Sequence, residues 1–156
     1  MNEGGPDARS DSTLERGFRL SYGAGLLLCV AWPLALQALL GTAIAPGPEG
    51  GGLVRQLGYT FTGLVCAGAL FVARRWARVR ARFREVPPAR RGRALAREVL
   101  LYAVLFQFSA LFGVLYYLLG GPQAERYARG FLALAPIMFF AFVPRLQAWR
   151  RAANEE

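Results

Sequence analysis

Residues 74–97 read RRWARVRARFREVPPARRGRALAR: ten arginines and a single acid, Glu85, between two long apolar runs. In a water-soluble chain such a stretch points to nucleic acid, because guanidinium groups pair with phosphates. Between two runs that can cross a bilayer, it marks instead the side that stays in the cytoplasm. The flanking sequence decides between these meanings, and it favours the membrane.

Leu20–Ala45 carries no charge for 26 residues, Gln56–Ala73 none for 18, and Val99–Ala124 none for 26. About 20 helical residues cross a hydrocarbon core of roughly 30 Å, so each of the three is long enough. Gly130–Pro144 offers only 15 uncharged residues. Arginine stems can extend that reach, and Tyr127 and Trp149 are placed to sit at the two interfaces. A chain that is 54% hydrophobic is also more apolar than the soluble average. The expected fold is therefore all-α: a polytopic membrane protein of four transmembrane helices in two hairpins. The spans fall at about 20–45, 56–73, 99–120 and 128–146 within a domain over 20–149, joined by the basic loop 74–97.

Arginine placement tests that count independently, since basic residues near the ends of spans collect on the cytoplasmic side. All 19 basic residues are arginine. With four spans and an inside amino terminus, three lie before the first span, ten in the central connector and three after the last. That is sixteen inside against three outside, Arg55, Arg126 and Arg129. Both termini are thus expected in the cytoplasm, and a bacterial inner membrane is the expected location. Residues 1–19, polar and of mixed charge, read as a disordered tail, and 150–156 as a short carboxyl tail. Ala43-Ile44-Ala45 has the small-residue pattern of a signal cleavage site. The apolar stretch before it is too long for a signal core, and its flank is acidic as well as basic, so the first span is expected to be retained.

Within the connector, Trp76, Val79, Phe83 and Val86 follow one another at helical intervals while arginines fill the other faces. The expected picture is a helix continuing out of the second span along an anionic headgroup layer, stopped by Pro87-Pro88, with a second helix entering the third span. Arg74, Arg75, Arg78, Arg80, Arg82, Arg84, Arg90 and Arg91 are the candidate contacts for anionic lipid headgroups or an acidic partner. Their simplest role is to orient the chain. Nucleic acid is not an expected partner, because the only aromatics, Trp76 and Phe83, belong to the apolar stripe and form no stacking platform.

The spans hold no ionisable residue in their central parts, which argues against carboxylate-driven ion exchange. There is no histidine, and Cys29 and Cys66 lie alone in apolar runs, so no metal or haem site and no cofactor is expected. Glu98 has arginines near it and no evident catalytic partner, so an enzyme is not expected. Uncharged polar groups remain. By helical rise Gln37 and Tyr116 come out about 25 Å above the inner ends of their helices, with Thr62 near that level, so that an intramembrane polar cluster of Gln37, Thr62, Gln107 and Tyr116 is the candidate. Such groups usually join helices, at about 0.6 kcal/mol each. Ser109 with Gly113, and Gly63 with Ala67, have the spacing of close helix contacts. Pro33 and Pro136 are expected to kink their helices, and Trp32 beside Pro33 is a candidate cavity residue.

The function expected first is a non-catalytic accessory or assembly subunit of a larger membrane complex. An oligomeric small-solute or ion channel or facilitative transporter is the alternative, and a lipid-handling protein the third. The expected partners are anionic membrane lipids and a membrane protein or a second copy of the chain.

Overall fold

Apolar runs flanked by arginines become four long helical rods in the computed structural model, which describes residues 6–48 and 51–154. The structure is 89% helical, with no strand among the described residues. Each rod is long and apolar enough to cross a membrane. The first rod comprises α1 (Pro6–Leu26), a π-helical turn (Leu27–Ala31) and α2 (Trp32–Leu39). The second is α3 (Gly51–Arg82), followed by a 3-10 turn over Phe83–Glu85. The third is α4 (Pro88–Gly120). The fourth is α5 (Glu125–Phe142), preceded by a short 3-10 turn (Pro122–Ala124) and followed by α6 (Leu146–Asn154).

Chemistry at the rod ends explains these bounds. Pro88 occupies the first turn of α4, where its missing N–H costs nothing. Gly41 (φ +79°) and Gly121 (φ +68°) take the left-handed backbone that closes the turns after the first and third rods. Pro33 has no N–H to give the carbonyl of Cys29, and the helix answers by widening: the Trp32 N–H bonds the carbonyl of Leu27, five residues back. A π-bulge thus stands at the position of the expected kink. Pro33 and Cys29 are buried there, the Cys29 thiol donating to the carbonyl of Ala103 at 3.2 Å, while Trp32 turns outward at 54% exposure. Pro136 lies inside an uninterrupted α5, and the break comes at Val143-Pro144, where the backbone turns extended. The fourth rod is therefore broken between α5 and α6, short of residue 146.

Rods alternate in direction. Leu14, Phe83, Leu95 and Trp149 share one core cluster at the arginine-rich end. Leu40, Tyr117 and Ala128 share another at the opposite end. α4 is the central helix, packed against α1, α3 and α5. Its contacts are made by small residues, as the Ser109–Gly113 spacing predicts: the Ser109 hydroxyl donates to the carbonyl of Phe131 at 2.6 Å, and a methyl on Gly113 would stand 2.7 Å from the carbonyl of Ala128. A second such contact joins α1 to α4, where a Cβ on Gly92 would meet the carbonyl of Thr13 at 2.6 Å.

The amino-terminal segment departs from expectation. Residues 6–19 are helical, not a disordered tail, because Leu14, Phe18 and Tyr22, four residues apart, form an apolar stripe that packs on the core. Residues 1–5 of that expected tail, and 155–156 of the carboxyl tail, lie outside the described residues. Trp149 is also not an interfacial anchor: it is fully buried against Trp76 and Phe83, with ring centroids 4.7 and 4.9 Å away. The Trp76–Val86 stripe thus faces the chain's own α6. Outward, the rods present leucine, phenylalanine and tryptophan. Leu27, Trp32, Leu70, Leu115, Ile137 and Phe140 are all exposed, a distribution water would penalise and hydrocarbon would not.

Candidate functional site

At the arginine-rich end, α6 packs on the core through Trp149 and Ala152, and what the arginines do depends on which way each faces. Arg75 donates from Nε and Nη2 to the two carboxylate oxygens of Glu98, at 2.6 and 2.7 Å, a bidentate pair joining α3 to α4. Glu98 is nearly buried (11% side-chain exposure) and Arg75 partly so (33%). One turn further, the buried Tyr102 hydroxyl lies close to the same carboxylate. Arg91 donates to the carbonyls of Val86 (3.0 Å) and Arg84 (3.2 Å), fastening the turn between the helices.

Of the eight arginines expected to bind anions, Arg75 and Arg91 therefore hold the fold, and Arg80 and Arg84 also interact within the chain. Arg74, Arg78 and Arg82, at intervals of four, form an exposed stripe on α3, and Arg90 is exposed on α4. Arg93 and Arg97, not among the expected contacts, are exposed on the same helix as Arg90.

The opposite end carries a groove of about 750 Å³ between the start of α3, the end of α4 and the start of α5. Glycines make it. A Cβ on Gly58 would stand 3.1 Å from the Tyr116 ring and hydroxyl, so the tyrosine would have to shift to admit one. On the floor, Tyr116 packs against Phe131 with centroids 5.9 Å apart, and Tyr127 meets Tyr116 edge-on at 6.1 Å. The walls carry Arg55, Tyr59, Thr62 and Gln123. Arg55 and Tyr59 stand one turn apart on α3, and Tyr127 lines the same groove. The Tyr116 hydroxyl in turn lies within electrostatic reach of both other phenols. No carboxylate is among the lining residues described. Glu125 nearby is taken by Arg129, at 2.6 Å.

Two of the four residues of the expected polar cluster meet here, Thr62 and Tyr116. Thr62 satisfies itself by donating to the carbonyl of Gly58, at 2.8 Å. Gln37 is elsewhere, donating to the carbonyl of Arg129 at 3.2 Å and so joining α2 to α5. Gln107 is nine residues before Tyr116, roughly 13 Å along α4, with its Oε1 buried and unpartnered. The four do not form one cluster, because depth along the rods says nothing of which face each side chain takes. Arg55, Tyr59 and Gln123 escaped the sequence reading, which assigned Arg55 only to a loop. Their signal is an arginine and a tyrosine one turn apart at the end of an apolar run. Farther along α3 the lining turns apolar, a pocket of about 180 Å³ among Val65, Gly68, Phe108 and Phe112, so the polar surface is confined to the end.

Chemically, both ends offer donors and positive charge. Among the described residues no group of three His, Cys, Asp or Glu side chains comes together as a metal site. No family model, no curated protein and no solved structure matches the chain.

Proposed function

We propose that this chain is a multi-pass protein of the bacterial inner membrane, its termini and arginine-rich connector in the cytoplasm, serving as a non-catalytic accessory or assembly subunit of a larger membrane complex. The orientation is supported by the sixteen-to-three division of arginines, since the segments carrying the sixteen gather at one end of the bundle. In that orientation the exposed Arg74, Arg78 and Arg82 stripe sits at the depth of anionic headgroups. Glu98, at the start of the third span, is engaged with Arg75.

One observation carries the subunit reading: α3 keeps a face that its own chain does not cover. Gly63, Cys66, Leu70, Ala73 and Ala77, spaced alternately by three and four, are all exposed. That interval is the seam of a helix packing on another helix. Where other outward faces carry leucine, this one is rich in small residues, which let two backbones approach closely. Gly63 and Ala67 thus have the spacing of a contact that the chain itself does not make; nothing lies within 4 Å of a Cβ built on Gly63.

Cys66 sits on the seam and Cys29 is buried, so the native thiols make the test. Oxidative or short-linker cross-linking in native membranes should join Cys66 to a different, larger membrane protein, and Gly63→Leu should abolish the product. A Cys66–Cys66 dimer together with solute flux in liposomes would favour the oligomeric channel instead. Absence of any product, with Cys66 reactive to maleimide throughout, would contradict both.

A further inference from the structure

We propose that the groove at the end opposite the arginines binds the phosphate headgroup of an anionic phospholipid, held by Arg55 with the hydroxyls of Tyr59, Tyr116 and Tyr127. The proposal rests on the membrane placement just given, which sets the groove in the outer leaflet. Arg55 stands directly before the apolar run Gln56–Ala73, at headgroup depth, and the mouth lies between helices, flanked by Tyr59 (70% exposed) and Tyr127 (63%). A lipid can enter there sideways.

The donor set selects the charge. One guanidinium and three phenols line the space, and no carboxylate is among its described lining residues. Guanidinium to phosphate is a strong, directional pairing. Three tyrosines could by themselves cage a quaternary ammonium. Arg55 in the same wall pairs with a phosphate and repels the ammonium of a zwitterionic head, so a head whose phosphate is its only charge is favoured over a choline-bearing one. The shape selects the tail. About 750 Å³ is within the range of small-molecule sites and far more than a lone phosphate fills. Phe131 and the ring of Tyr116 form an apolar floor on which the first carbons of an acyl chain can lie.

Photoreactive phosphatidylglycerol, incorporated with the full chain into nanodiscs and mapped by peptide mass spectrometry, tests this directly. Adducts are expected on segments 54–62 and 124–131. Arg55→Gln should reduce them about tenfold or more, the weight of one charge-assisted hydrogen bond. Tyr59→Phe should reduce them less, and the triple change Arg74→Gln, Arg78→Gln, Arg82→Gln should leave them intact. Photoreactive phosphatidylcholine should label the groove several-fold less, and excess inorganic phosphate should not displace the lipid. Groove labelling indifferent to Arg55→Gln, equal labelling by phosphatidylcholine, or adducts confined to 74–97 would overturn the proposal. Displacement by inorganic phosphate would reassign the site to the free anion and overturn the lipid. A failure of membrane placement reads differently: the exposed leucines of α4 would then carry no label either.

Discussion

Replacing Arg75 by leucine should destabilise the bundle by on the order of 3 kcal/mol, the effect of stranding a nearly buried charge. The reason is the asymmetry of the pair. Glu98 is 11% exposed and takes both of its short hydrogen bonds from Arg75, whereas Arg75 is 33% exposed and can reach water on its long stem. Losing the arginine therefore leaves a carboxylate with no charged partner among the hydrophobic side chains of Val99 and Tyr102. Losing the acid is milder: Glu98→Gln keeps one acceptor for Arg75, and the guanidinium can turn outward. The double variant Arg75→Leu, Glu98→Leu should recover most of the loss, because an apolar pair of similar volume avoids the desolvation of both charges. Thermal unfolding in one detergent, across the three variants, measures this ordering. Equal losses for Arg75→Leu and Glu98→Gln would mean that the pair is a surface contact.

Trp149→Ala should cost about 3 to 5 kcal/mol. Its ring is fully buried between Trp76 and Phe83, and its Nε1 has no hydrogen-bond partner, so the whole loss is packing. With the ring gone, α6 retains only small or partly buried contacts, Ala152, Leu146 and Ala153, and the Arg150–Glu15 pair at 3.5 Å, which has little weight. The helix should then detach while the four rods stay assembled. Hydrogen exchange would show it as lost protection over 146–154 with protection elsewhere unchanged, and Trp149→Phe should keep most of both. Protection lost evenly over the whole chain would instead make α6 part of one cooperative unit.

Trp149 also shows where reading the sequence stopped. A tryptophan four residues after an arginine at the end of an apolar run has the composition of an interfacial anchor. Only the break at Val143-Pro144 turns it back under the connector, and that break competed with Pro136, which the fourth rod accommodates. The apolar lengths of the first three rods and the helical pattern from Trp76 to Val86 were legible because burial leaves a period in the chain. Leu14, Phe18 and Tyr22 carried the same period, hidden by the charged residues around them.

What periodicity does not carry is the partner. Ser109-Gly113 and Gly63-Ala67 look alike in the sequence, yet one pair meets α5 at van der Waals distance and the other meets nothing in the chain. Glu98 had several arginines within reach, and only the packing of α3 on α4 picks out Arg75. The groove was illegible for the same reason, since Arg55, Tyr116 and Tyr127 lie on three different rods. Pro33 marked a lost hydrogen bond, but whether a helix bends or widens there depends on what Cys29 and Ala103 do on the buried side.

Everything proposed about the two ends depends on which of them faces the cytoplasm. With Cys29 and Cys66 replaced by alanine, a single Ala89→Cys in the connector and a single Pro46→Cys in the loop after the first rod can be probed with a membrane-impermeant maleimide on intact spheroplasts. Pro46→Cys should label at once, and Ala89→Cys only after the membrane is permeabilised. The opposite pattern, or both sites labelled alike in a chain that carbonate washing strips from the membrane, would contradict the account.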